Sequence, residues 1–234
     1  MLQASRVNRV PPPPIPNKGG ALAHGLSIPI RRPPVKRFVR SGAMTRDQLS
    51  FLARPDMPEG LVYAPDFLGV AEEAALAARM NALPFKPFEF HGFLGRRQTV
   101  SFGWSYRFDG SGLGEAAPIP DWLLPIRSRA AAFAGLAPEA LEHALLIKYE
   151  EEAGLGWHRD RPVFGDVIGI SLLSPAPLRF RRKAGAKWQR FTLPAEPRSI
   201  YLLRGPARGE WEHSLTPVAA LRYSITFRTL RSGT

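Results

Sequence analysis

Between Leu145 and Arg228 the chain breaks into six short runs rich in β-branched and aromatic residues, and Gly or Pro punctuates most of the gaps. The runs are Leu145–Tyr149, Val167–Leu173, Leu178–Arg182, Trp188–Phe191, Ser199–Leu203 and Arg222–Arg228. Short strands at this spacing cannot bury themselves singly and must pack as a sandwich or barrel. Ahead of them the pattern predicts a strand near Tyr63, an amphipathic helix over Ala71–Leu83, and a hairpin through Gly95–Gly110. A second helix follows over Pro120–Leu136, with a short one after Pro138. The expectation is a mostly β, α+β fold with helices packed outside one sheet.

The chain has 234 residues, enough for one ordinary domain with a sizeable core. It has no cysteine, so disulfides, thiolate nucleophiles and Cys-ligated metals are excluded, and any metal must be held by His and carboxylate. No apolar run approaches the roughly 20 residues that span a bilayer, and the N-terminus lacks a secretory apolar core. A cytoplasmic monomer without a membrane partner is expected.

The net charge of +12 is unevenly placed. Residues 1–46 carry nine basic side chains and no acidic one, which leaves 23 bases to face all 20 acids in the body. The same segment holds Pro11–Pro14, Pro16, Pro29, Pro33 and Pro34, a composition that cannot bury enough apolar surface to offset ordering. Residues 1–46 therefore read as a disordered basic tail. Several origins fit it: a nucleic-acid arm, a solvated extension, a transit-like segment, or a start codon truly at Met44.

The chemistry concentrates at Trp157-His158-Arg159-Asp160 and at His213, 53 residues beyond the aspartate. His158 and Asp160 are two apart, so in extended chain both side chains point to one side. Two imidazoles and one carboxylate form a facial ligand set that suits Fe(II) and leaves open positions. A hydrogen-bonded His-x-Asp pair with an unrelated His213 fits the same residues. His24, His91 and His143 have no ligand partner at a recognisable spacing and read as surface or satisfied residues.

The run Arg222-Tyr-Ser-Ile-Thr-Phe-Arg228 narrows the choice. Alternation puts Arg222, Ser224, Thr226 and Arg228 on one face, the two arginines about 20 Å apart along a flat strand. Two guanidinium groups facing an interior require anions, and a short dicarboxylate bracketed between them would supply both. A half-exposed edge strand with solvated charges is the plainer alternative.

Taken together, Tyr149, Trp-His-Arg-Asp, Val167–Leu173, Pro197–Gly205, Trp211-Glu-His213 and the terminal Arg-x-x-x-Thr-x-Arg strand resemble the AlkB family of Fe(II)- and 2-oxoglutarate-dependent dioxygenases. The resemblance covers residues 60–231 and implies a double-stranded β-helix, or jelly roll. It implies that His158, Asp160 and His213 ligate Fe(II) and that Arg222 pairs with the distal carboxylate of 2-oxoglutarate. Arg228 would support the keto-acid end, while Tyr149 and Ser224 complete the cosubstrate pocket. The reaction it implies consumes O₂, releases succinate and CO₂, and hydroxylates a substrate C–H bond; an N-methyl group so treated leaves as formaldehyde.

Departures from the family pattern bear on the substrate. Where DNA-repair members commonly carry Asn two residues before the Tyr, this chain has Ile147; where they often carry an acid two residues past the metal Asp, it has Pro162. Two segments still favour nucleic acid, single-stranded or with a flipped base. The acid-free stretch 178–191 interleaves Arg179, Arg181, Arg182, Lys183, Lys187 and Arg190 with Phe180, Trp188 and Phe191. Residues 95–106 occupy the place of the family's nucleotide lid. The expectation is an oxidative dealkylase of nucleobases in DNA or RNA, as in DNA repair. The alternatives are the same chemistry on a methylated protein side chain or small molecule, and a catalytically idle RNA-binding jelly roll.

Overall fold

A computed structural model of the chain describes residues 57–90, 93–107 and 112–231. The basic segment 1–46, His24 and His91 lie outside the described residues. Thirteen strands occur among them: β1 (Leu61–Ala64), β2 (Lys86–Phe90), β3 (Phe93–Phe102), β4 (Trp104–Arg107), β5 (Gly112–Glu115), β6 (His143–Tyr149), β7 (Leu155–His158), β8 (Phe164–Leu172), β9 (Ala176–Ala184), β10 (Lys187–Ala195), β11 (Ile200–Leu203), β12 (Glu212–Leu215) and β13 (Arg222–Leu230). They form a seven-stranded sheet ordered β1-β11-β8-β13-β6-β3-β2, a four-stranded sheet ordered β10-β9-β12-β7, and a ribbon of β4 with β5. The helices are α1 (Val70–Asn81), α2 (Leu124–Ala134) and the short α3 (Gly205–Gly209). Among the described residues no helix is long and apolar enough to cross a membrane.

Both long helices begin and end where local chemistry dictates. At the start of α1 the Glu72 carboxylate accepts from the Gly69 N–H, and two acids in the first turn complement the positive end of the helix dipole. Its Leu76 and Met80, four apart on one face, are buried against the large sheet. Helix α2 ends at Gly135, whose φ of 67° is the left-handed conformation that closes a helix at low cost in glycine.

The large sheet is buried on both faces, and the two-residue side-chain period sorts its residues between two cores. On β13, Tyr223, Ile225 and Phe227 enter a helix-side core with Leu146, Ile168 and Ile170. The opposite face meets the small sheet, where Ile147, Tyr149 and Tyr201 share a second core with Leu178, Phe180 and Phe191. The two central face-to-face sheets with helices outside one of them are the expected mostly β, jelly-roll arrangement. Strand β13 lies between β8 and β6, a central strand and not a half-exposed edge.

One local expectation is corrected. Residues 95–107 do not pair with one another as the hairpin expected over 95–110 requires: β3 pairs with β2 before it and β6 far after it, whereas β4 pairs with β5. Gly103 makes the break. Its φ is 75°, a side chain there would run into the Glu142 carbonyl, and its backbone bonds Ala116 and Ala117. The chain is thereby turned out of the large sheet at a position only glycine fills without strain.

Candidate active site

Register across the large sheet builds one wall of the site. Arg222 on β13 stands opposite Tyr149 on β6, which stands opposite Arg97 on β3. Two residues along, Ser224 faces Ile147 on one side and Ser171 of β8 on the other; at the far end Arg228 faces His143 and Val167. Directly opposed residues of an antiparallel pair project from the same face, so these rows look toward the small sheet. The other wall is a row in that sheet: His158 of β7 opposite His213 of β12, and His213 opposite Phe180 of β9.

The three candidate ligands converge from these elements. The His158 and His213 ring centroids are 4.2 Å apart, and His213 Nε2 lies 3.8 Å from Asp160 Oδ2. Asp160 comes just past the end of β7. His158 Nδ1 lies 3.0 Å from the Gly156 carbonyl, which can only accept, so Nδ1 carries the proton and Nε2 keeps its lone pair. Burial pushes the His213 pKa down to about 3 and lowers that of His158. Burial by itself would raise the Asp160 carboxyl, but the Arg228 guanidinium, with the two imidazoles, holds it below the ordinary carboxylate range.

Two neutral imidazoles and one ionised carboxylate are the protonation states that a hard-to-borderline divalent cation requires of its ligands. The residue set therefore fits Fe(II). Among the described residues no three His, Asp or Glu side chains form a closed coordination set; in the structure Asp160 spends one oxygen on Arg228, at 2.8 Å.

Arg228 is tied at both ends of its guanidinium. Nη2 donates to Asp160 Oδ1, and Nη1 stands 3.3 Å from His143 Nδ1, while Nε is buried without a hydrogen-bond partner among the described residues. His143, 3% exposed and stacked on Phe164 at 4.8 Å, is a satisfied core residue, one of the two readings its spacing allowed.

Arg222 is the odd charge of the site. It is 2% exposed, yet its partners are the Ser171 hydroxyl, at 3.0 and 3.2 Å, and the face of the Tyr149 ring, at 5.1 Å. No carboxylate pairs with it among the described residues. A buried cation without a counter-ion costs several kcal/mol, and a carboxylate ligand would relieve that cost.

Two residues of this wall escaped the sequence reading. Tyr201 of β11 is buried in the same cavity, its hydroxyl pushed up to about 12 by burial with Arg222 opposing. It lies over Gly169 so closely that any Cβ there would enter the ring. The signal was a lone glycine in the apolar run Val167–Leu173, facing a Tyr. Arg97 also belongs here: burial lowers its pKa most, and Tyr149, Arg228 and Asp160 act on it next.

The basic segment forms the β9–β10 hairpin around Gly185. Its aromatics divide, however. Phe180 and Phe191 are 0% and 5% exposed in the core between the sheets and cannot stack on a base, whereas Trp188 is 40% exposed.

A family model described as the 2OG-Fe(II) oxygenase superfamily matches residues 60–228. An Arabidopsis thaliana protein named "Alkylated DNA repair protein ALKBH8 homolog" is 30% identical over 66% of this chain, which spans half the length of that relative (50%). The Bos taurus protein "Alpha-ketoglutarate-dependent dioxygenase alkB homolog 7, mitochondrial" is 28% identical over 83% of this chain and 81% of its own length. The solved structure of OsALKBH1 superposes with a TM-score of 0.61 at 17% identity, covering 74% of this chain and 97% of that one. The chain belongs to the 2OG-Fe(II) oxygenase superfamily, whose members work with Fe(II), 2-oxoglutarate and O₂, and within it is AlkB-like.

Proposed function

We propose that the protein removes alkyl groups oxidatively from nucleobases in DNA or RNA, with His158, Asp160 and His213 as the Fe(II) ligands. The observation that carries the assignment of the site is Arg222, a buried cation on the wall facing the triad with a hydroxyl but no carboxylate as its partner among the described residues. Fe(II) and 2-oxoglutarate, when bound, supply the oxidising chemistry, in which decarboxylation to succinate and CO₂ is coupled to hydroxylation of a substrate C–H bond.

The chain's own residues do the rest. Arg222 receives the distal carboxylate as a charge-assisted partner, with Tyr149 and Ser224 beside it, and Tyr201 closes the same side. Arg228 fixes the orientation of Asp160, and the Gly156 carbonyl fixes the tautomer of His158. The apolar core between the sheets excludes water, which strengthens each of these polar contacts.

The nucleobase part of the reading draws on the basic hairpin and on the alkylated-DNA repair named for the Arabidopsis relative. One observation favours a second reading, the same chemistry on a methylated protein side chain or small molecule. Ile147, 7% exposed, lines the pocket where repair members of the family commonly carry Asn, and Pro162 stands where they often carry an acid.

The test is direct. Full-length protein with Fe(II), 2-oxoglutarate and methylated single-stranded DNA or RNA is expected to yield succinate and formaldehyde together, and Asp160→Ala and His213→Ala to yield neither. Succinate without formaldehyde on every nucleic acid tried would sink the nucleobase reading and leave the oxygenase.

A further inference from the structure

The outer face of the small sheet carries chemistry that the cavity between the sheets does not use. Trp157 precedes His158 on β7 and therefore faces the opposite way. The Arg181 guanidinium lies between two indoles, 4.4 Å from the Trp157 ring and 4.7 Å from the Trp188 ring, while Arg179 covers Trp157 at 5.1 Å. This row borders a surface cavity of about 520 Å³ lined by Arg159, Arg181, Arg182, Lys183 and Trp188, with the Glu210 and Glu212 carboxylates also in its wall.

Charge on this face is only partly neutralised. Glu212 pairs with Arg181 at 2.6 Å and Glu210 with Arg182 at 2.5 Å. Arg159 and Lys183, and Arg190 next to them on the hairpin, have no ion-pair partner among the described residues. Trp188 is held by Arg181 yet 40% exposed, so a rigid aromatic surface stands in water beside a surplus of cations.

We propose that this outer face binds the backbone of a single-stranded nucleic acid next to the active site, with phosphates over Arg159, Lys183 and the hairpin and one base stacked on Trp188. The proposal rests on the nucleobase reading above and deepens it. A strand of acidic residues would satisfy the cations but offers no flat ring for Trp188, whereas a nucleotide supplies both. Arg159 ties the surface to the chemistry, because it sits between His158 and Asp160 and lines the cavity from behind them. Phe180 and Phe191, turned inward, take no part.

Binding of an unmodified, fluorescein-labelled single strand of roughly 12 nucleotides, within the site sizes usual for such surfaces, is measured by anisotropy on the full chain without Fe(II) or 2-oxoglutarate. Salt-dependent binding is expected, weakened about fivefold or more in Trp188→Ala, the low end for loss of one base stack. Lys183→Glu is expected to weaken it and flatten the salt dependence. Both variants are expected to keep 2-oxoglutarate turnover on a free methylated nucleoside. Wild-type binding that neither substitution changes overturns the proposal, as does the absence of binding. Equal affinity for a poly-glutamate peptide, lost equally in both variants, also overturns it in favour of a protein-binding surface. The assay needs no dealkylation, so it fails or succeeds separately from the functional reading.

Discussion

Arg228 joins Asp160 to His143: one terminal nitrogen donates to the carboxylate at 2.8 Å and the other meets the imidazole Nδ1 at 3.3 Å. Because a guanidinium only donates, His143 Nδ1 must accept, and its proton sits on Nε2. His143→Phe keeps a ring against Phe164 but leaves the Arg228 N–H unpaired in the interior, at a cost of about 1–3 kcal/mol. Urea unfolding is expected to show that loss, with His143→Asn, which offers an amide oxygen, nearer the parent. Mn(II) affinity should fall along with it, since groups that orient ligands typically contribute about tenfold or more. A His143→Phe protein as stable as the parent, with unchanged Mn(II) affinity, removes this role.

The same histidine gives a pH signature. Burial first, and Arg228 second, lower its pKa from 6.5 to about 3, against the opposing pull of Asp160. The unfolded chain thus takes up a proton near pH 6.5 that the folded chain refuses until near pH 3. The contribution of neutral His143 is complete above about pH 6.5 and is lost as pH falls toward 3, at no more than about 1.4 kcal/mol per pH unit. The stability of the parent relative to His143→Phe should therefore shrink between pH 6.5 and 5. Parallel stability curves for the two proteins would count against it.

Arg222→Met separates stability from function. It removes a buried cation that has no carboxylate partner among the described residues, so the protein without ligands should be as stable as the parent or more so. Added 2-oxoglutarate with Mn(II) should stabilise the parent, by about 2.7 kcal/mol at a hundredfold excess over Kd, and the variant little. Thermal melts with and without the pair test this. Equal stabilisation of both proteins would release Arg222 from the cosubstrate.

Gly169→Ala probes the Tyr201 wall. The added methyl enters the Tyr201 ring, and overpacking of this kind costs about 1–3 kcal/mol. The KM for 2-oxoglutarate should rise as the ring is displaced. Tyr201→Leu in the same chain should recover stability without recovering KM. If the double variant is no more stable than Gly169→Ala alone, the clash is not with Tyr201.

Much of the site was legible because it lies on strands, where a period of two turns sequence directly into faces. Arg222, Ser224 and Arg228 could be assigned to one side of β13 from spacing alone, and His158 with Asp160 to one end of one segment. Strands β7 and β12, which carry His158 and His213, are absent from the six runs because Leu155-Gly-Trp-His and Glu-His-Ser-Leu are mixed in polarity and not rich in β-branched residues. The hairpin expected over 95–110 failed at Gly103, where a contact with residue 142 decides the turn.

By itself the sequence determined the alternation that makes a two-sheet fold, the His158–Asp160 pair and the positions of the charged strand residues, because each depends on neighbours two to six residues apart. Only the tertiary structure decided which aromatics of the basic hairpin reach solvent, that β13 is central, and that Arg228 is committed to Asp160 and His143 while Arg222 meets no carboxylate among the described residues. Those outcomes rest on register between strands far apart in the chain. Register is fixed by the packing of both sheet faces at once, which no local pattern encodes.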